Sequence, residues 1–287
     1  IRDQPRSRGL GDVYKRQAKS LGKKDARRMD RFAQLGAVAT LEALDQCGLE
    51  ITHENNERVS VMVSSGIGGI ITLSQQTEVL LSAGPSRVTP FLVPMMLPDM
   101  AAGQISMLLG AKGPNFITVS ACSSGADAIG QAFETIRRGD ADVVFAGGAE
   151  AAICPIGVAG FNACKALSRR NNDPVKASRP FDAERDGFVL GEGAGVIVLE
   201  NLDTAIQRNA VPLVEMVGYG TTADAHHITQ PSPGGEGGAR AMRLALRQAN
   251  LKVAEIDYIN AHGTSTPLND KFETMACLLY TSDAADE

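Results

Sequence analysis

Short, mostly apolar runs that alternate with segments of helical period constrain this chain more than any other feature. Residues 59–63, 115–119, 143–146, 195–199, 211–217 and 256–260 read as strands, and most are apolar at nearly every position. A strand without a polar side needs cover on both faces, which is the habit of parallel-rich sheets packed between helices. The intervening segments supply the helices. Residues 27–47 carry Phe32, Leu35, Ala39, Leu41 and Leu44 at helical spacing and stop at Gly48. A second helix follows the turn 64–69, a third lies after Pro98, and others are expected at 123–138, near 156–167 and, amphipathic, at 238–250. Gly147-Gly148 reads as a turn and 168–180 as a polar loop. The expected fold class is α/β, with a join near residue 210 where one run of elements gives way to another.

Composition removes several functions. The 287 residues are 44% hydrophobic with 30 glycines and no tryptophan, so small side chains dominate the packing of helix on sheet. A net charge of −5 offers no basic face to nucleic acid. No apolar run approaches the roughly 18 residues a membrane helix needs, so no membrane partner is expected. The five cysteines (47, 122, 154, 164, 277) are scattered without a CxxC pair, as in proteins of the reducing cytoplasm.

The two ends read differently from the middle. Asp12-Val-Tyr-Lys-Arg-Gln17 can be encoded by GATGTGTATAAGAGACAG, and the reverse complement, read one base in, gives Cys277-Leu-Leu-Tyr-Thr-Ser282. An inverted repeat of that kind resembles a transposon-type sequencing adapter. Residues 1–17 and 277–287 are therefore expected to be adapter translation and are kept out of fold reasoning. That leaves 18–210 as an N-terminal half whose first segment is missing, and 211–276 as the start of a C-terminal half. The natural protein is expected to continue on both sides.

Two places carry chemistry. In Ile117-Thr-Val-Ser-Ala-Cys122-Ser-Ser-Gly-Ala126 a strand runs into a cysteine, ringed by small residues, just before a helix. This is the pattern of a nucleophile elbow. A thiol at a helix N-terminus feels the positive end of the dipole, which favours the thiolate. Cysteines are more often buried structural residues, and Cys47, Cys154 and Cys164 are read so. The second place is Asn260-Ala-His262-Gly-Thr-Ser-Thr-Pro-Leu-Asn-Asp270, where a strand delivers a histidine to a loop of glycine and hydroxyls. Parallel sheets place their sites at that edge. A neutral imidazole there could donate Nε2–H to a developing enolate or oxyanion. His226-His227 are adjacent and point apart, so no metal is expected. The glycines of 65–69 and 191–195 read as tight-turn packing, 179–186 as an ordered, salt-bridged loop, and Met95, Met96, Met107 and Leu108 as core rather than an acyl channel.

Together these segments resemble the β-ketoacyl-[acyl-carrier-protein] synthases of the type I/II group, most closely the synthase II branch. The stretches that carry the likeness are Gly113 through Gly125, Gly147-Gly-Ala-Glu150, Ser178 through Gly195, and Asn260 through Pro267. They span nearly all of 18–276. The resemblance implies a thiolase-like αβαβα layered fold with an incomplete C-terminal half, and a homodimer. It implies that Cys122 takes an acyl chain from acyl carrier protein as a thioester. Malonyl-ACP then loses CO₂ and attacks that thioester to give 3-ketoacyl-ACP, with His262 polarising the malonyl carbonyl and the Cys122 N–H contributing to an oxyanion hole. No cofactor is implied beyond the phosphopantetheine of the carrier protein. The family's second catalytic histidine, its lysine and its glycine-rich gating loop have no counterpart after His262, where Lys271 is the one lysine. The chain as it stands is therefore expected to lack condensing activity. A polyketide ketosynthase shares both motifs. A non-catalytic chain-length-factor subunit would lack the cysteine, and a degradative thiolase fits the 260–267 motif less well.

Overall fold

Residues 21–282 are described in the computed structural model, so the adapter reading of 1–17, and of 283–287, lies outside them. Three strands pair in the order β1-β2-β3: β1 (Val59–Ser64), β2 (Val143–Glu150) and β3 (Gly193–Glu200). The described helices are α1 (Lys23–Ala26), α2 (Arg31–Cys47), α3 (Ile70–Ala83), α4 (Leu92–Met96), α5 (Met100–Leu109), α6 (Ser124–Arg137), α7 (Pro155–Ala163), α8 (Leu202–Gln207), α9 (Glu236–Ala249) and α10 (Pro267–Ser282). By its internal contacts the chain divides into two compact units. One runs through residue 158 and takes back 191–214; the other holds 159–190 and the stretch from 215 on.

The first unit contains the sheet. β1 and β2 run parallel, from Val59 opposite Val143 to Ser64 opposite Gly148. β3 returns antiparallel after the long excursion 151–192, with Glu200 opposite Val143 and Gly193 opposite Glu150. Alternate residues then fill two layers. Val59, Val61 and Val63 with Val143, Phe145 and Ala149 meet Phe32, Ala33 and Ala37 of α2 and Ala101, Ala102 and Ile105 of α5. Met62, Val144 and Ala146 meet Ala128 and Ala132 of α6 on the other side. Cover on both faces is why these strands read as unbroken apolar runs. Asp30 starts α2 by accepting the Phe32 N–H at 3.4 Å and also takes the Thr72 N–H at 2.8 Å, which ties α3 to it. Gly48, at φ 63°, ends α2.

Several expectations are corrected. Residues 115–119 make one isolated bridge, Asn115 to Val61, and otherwise form no ladder. Residues 211–217 and 256–260 likewise form no strand, because they have no ladder partner among the described residues. Gly147-Gly148 is no turn but lies inside β2, where the missing side chain admits α6. A Cβ on Gly148 would stand 3.0 Å from the Cα of Gly125. α7 stops at Ala163, short of Leu167, and so leaves Cys164 exposed rather than buried. Met107 and Leu108 are not core: they are 67% and 41% exposed on the outer side of α5. A short helix, α4, precedes Pro98.

In the second unit Phe188 bridges Leu167 and meets Phe161 edge-to-face, with centroids 5.3 Å apart at 83°. α9 ends on Asn250 in the left-handed region (φ 55°). α10 runs across residue 276 through Ser282 without a break.

Candidate active site

The segment carrying Cys122 leaves the edge of β1 and is pinned to it. The Thr118 N–H donates to Ser64 Oγ at 3.1 Å. Ala121 then adopts φ 53°. That region is unfavourable for a residue with a Cβ, and such strain persists only where surroundings enforce it. Here hydroxyls enforce it. Ser124 Oγ accepts the Ser120 N–H at 2.9 Å and donates to the Ala121 carbonyl at 2.7 Å. Ser123 Oγ donates to the Ser120 carbonyl at 2.8 Å, and Thr118 Oγ1 to the Ser124 carbonyl at 3.1 Å. Asp127 accepts from Ser120 Oγ and, at 3.4 Å, from Ser123 Oγ. Cys122 sits exposed in the 3₁₀ turn Ala121–Ser123, immediately before α6. A strand-like segment, a strained turn and a helix N-terminus thus present a thiol to solvent, the geometry expected of a nucleophile.

His262 belongs to the second unit, and its loop is held by carboxylates that sequence reasoning missed. Glu273 of α10 accepts the backbone N–H of His262 at 2.5 Å and of Gly263 at 2.8 Å. Asp270, 1% exposed, accepts from Phe181 N at 2.7 Å and Ser265 N at 3.1 Å and pairs with Arg185 at 3.3 Å. Arg185 also donates to the carbonyls of Thr266 and Pro267. Ser265, in the left-handed region at φ 67°, accepts the Arg179 N–H on Oγ and the Gly187 N–H on its carbonyl. The run 179–186 is therefore an ordered clamp around the histidine loop. Asp186 is part of it: hydrogen bonds from the Ser168 hydroxyl and then the Arg169 N–H hold its carboxyl below the usual range.

His227 Nδ1 accepts the N–H groups of Thr229 and Gln230, both at 3.1 Å, so it serves a turn. Among the described residues no three metal-ligating side chains come together. Glu150 at the end of β2 accepts from Ser65 Oγ and from the N–H groups of Gly66 and Ile67, contacts that sequence reasoning did not foresee. Its signal was the segment Gly147-Gly-Ala-Glu150, noted for resemblance and given no role.

A family model described as "Beta-ketoacyl synthase, N-terminal domain" matches residues 10–205, and one described as "Beta-ketoacyl synthase, C-terminal domain" matches 213–286. A 3-oxoacyl-[acyl-carrier-protein] synthase 2 of Staphylococcus aureus is 51% identical over 265 residues, covering 92% of this chain and 66% of that protein. The crystal structure of a beta-ketoacyl synthase from Burkholderia phymatum superposes with a TM-score of 0.85 at 37% identity, covering 92% of this chain and 64% of the other. A ketosynthase structure described as a type II polyketide-synthase acyl-carrier protein in complex with its ketosynthase aligns with TM-score 0.82 at 31% identity, covering 89% and 64%. The chain spans about two thirds of the length of the relatives it matches.

Proposed function

The chain belongs to the beta-ketoacyl synthase family, and from that premise we propose that its full-length parent performs decarboxylative Claisen condensation in fatty-acid elongation, with Cys122 as nucleophile and His262 as electrophilic partner. The observation that carries this reading is the hydroxyl-pinned turn that exposes Cys122 at the head of α6.

In this reading the Cys122 thiolate attacks the thioester carbonyl of an acyl-ACP. The tetrahedral intermediate expels the phosphopantetheine thiolate and leaves the acyl group on Sγ. Malonyl-ACP then loses CO₂, and His262 Nε2–H stabilises the enolate that remains. The enolate attacks the Cys122 thioester, expels the thiolate and forms 3-ketoacyl-ACP. Dividing the reaction between a covalent and a condensing step is ordinary nucleophilic catalysis. The partner is acyl carrier protein, and no metal or resident cofactor takes part. The N-terminal half spans 18–210 and the C-terminal half begins at 211.

The reading extends to a cytoplasmic homodimer. No helix among the described residues is long and apolar enough to cross a membrane. Phe116 and Val119, in the segment before Cys122, are 40% and 59% exposed, an apolar edge suited to a second copy. The polyketide alternative draws on the carrier-protein complex noted above, but the 51% identity to a 3-oxoacyl-[acyl-carrier-protein] synthase 2 outweighs the 31% to that ketosynthase.

Separating the half-reactions tests the assignment. Cys122→Ser is expected to abolish acyl-enzyme formation. His262→Ala, made in the full-length parent, is expected to keep the acyl-enzyme yet lower CO₂ release from malonyl-ACP by about 10²-fold or more, the scale of losing one oxyanion donor. Loss of acylation in the histidine variant, or unchanged CO₂ release, would overturn the division of roles.

A further inference from the structure

Glu150 closes β2, and its carboxylate meets no cation: among the described residues no Lys, Arg or His lies within ion-pair distance of it. Its charge is instead received by the loop that follows β1. Oε1 accepts from Ser65 Oγ at 2.9 Å; Oε2 accepts the N–H of Gly66 at 2.8 Å and of Ile67 at 3.1 Å. Ser65, 2% exposed, accepts the Gly68 N–H on the same Oγ at 2.9 Å, so the loop is folded around the carboxylate. Charge-assisted bonds to backbone N–H groups are short and directional, and this set fixes where Gly66 lies. Gly66 is pressed against the turn that bears the thiol. A Cβ built on it would stand 2.9 Å from the Ala121 carbonyl oxygen and 3.0 Å from Glu150 Oε2. Ala121 is the strained residue, at φ 53°, directly before Cys122.

We infer that Glu150 is a positioning residue for Cys122: it holds the 65–68 loop beneath the Ala121 carbonyl and so keeps the thiol at the head of α6. The inference rests on Cys122 being the nucleophile. Ser124 and Ser123 restrain the turn from the helix side, whereas Glu150 and Gly66 close it from the sheet side, and together they leave Ala121 no room to relax. The contact needs geometry rather than charge. A glutamine can offer its carbonyl to the Gly66 and Ile67 N–H groups and its NH₂ to Ser65 Oγ.

The test uses the 287-residue chain and a carrier-free probe, iodoacetamide, with peptide-resolved mass spectrometry. The labelling rate of Cys122 is divided by that of Cys164, which is exposed and belongs to the other unit, so a general loss of stability is normalised away. The unsubstituted chain is expected to show a ratio well above one. Glu150→Ala is expected to lower it by roughly 3-fold to 10-fold, as the thiol leaves the helix N-terminus that favours its thiolate, while Glu150→Gln restores it. Gly66→Ala, with Glu150 intact, should lower it as well, because its Cβ pushes on the Ala121 carbonyl. A ratio unchanged in Glu150→Ala, or in Gly66→Ala if the former does not fold, would overturn the positioning role. A ratio near one in the unsubstituted chain would overturn the nucleophile assignment beneath it, which separates the two failures.

Discussion

Ser124 makes three hydrogen bonds at once: its hydroxyl bridges the Ser120 N–H and the Ala121 carbonyl, and its own carbonyl takes the Thr118 hydroxyl. It is 3% exposed, and Ser124→Ala removes its hydrogen bonds to the Ser120 N–H and the Ala121 carbonyl, so it is expected to destabilise by about 1 kcal/mol. Thermal melting would check this, and an unchanged midpoint would speak against a strained turn. Asp270 is a larger commitment. Removing it takes a carboxylate from Arg185, which keeps its carbonyl partners at Asp182, Thr266 and Pro267, and leaves the N–H groups of Phe181 and Ser265 without their acceptor. Asp270→Ala is expected to destabilise by about 1–3 kcal/mol in urea titration, with Asp270→Asn recovering part of it. Cys122 could be singled out from the sequence as the candidate nucleophile because residue type and small neighbours are local features. Asp270 and Glu273 could not be, because acids in the first turns of a helix are ordinary there, and nothing local reveals that Glu273 reaches back to the His262 loop or that Asp270 meets Phe181 and Arg185, far away in sequence.

At the scale of elements, the sheet was legible where burial on both faces removes polar residues. It was not where no ladder forms, as at 115–119 and 256–260, since an apolar run reads the same whether or not a ladder forms beside it. Gly147 and Gly148 misled for a related reason: glycine marks a turn and a close contact alike, and the contact with Gly125 is visible only in three dimensions. Phe145 is fully buried at the centre of the packed layer, so Phe145→Ala is expected to lower stability by about 3–5 kcal/mol by urea denaturation. The bases of β1 and β2 are joined by Arg58, whose guanidinium grips Asp142 at 2.8 and 3.1 Å. That bond holds the Asp142 carboxyl below its ordinary 3.8. A depressed acid stabilises the fold above its unfolded pKa, and the contribution is lost as pH falls through the folded value. The pair is more than a third exposed on both sides, so its effect is small. Between about pH 5 and pH 2 the urea midpoint should therefore fall less steeply in Asp142→Asn than in the unsubstituted chain, and identical slopes would contradict the pairing.

At the scale of the molecule, the family and the α/β class were both legible, because long ordered motifs and layer cover leave their mark on every element. The allocation of 159–190 to the same unit as the histidine loop was not. It follows from bonds such as Arg185 to Asp270 and Gly187 to Ser265, which join residues roughly eighty positions apart. Each unit thus builds its own half of the proposed chemistry, a thiol on one and an imidazole on the other. The most direct test of that chemistry is to incubate the chain with a long-chain acyl-ACP and map the added mass by peptide. Expected is one acyl group as a thioester on Cys122, absent in Cys122→Ser and released by hydroxylamine. Acyl transfer to another cysteine, or an unmodified Cys122 in a folded chain, would contradict it.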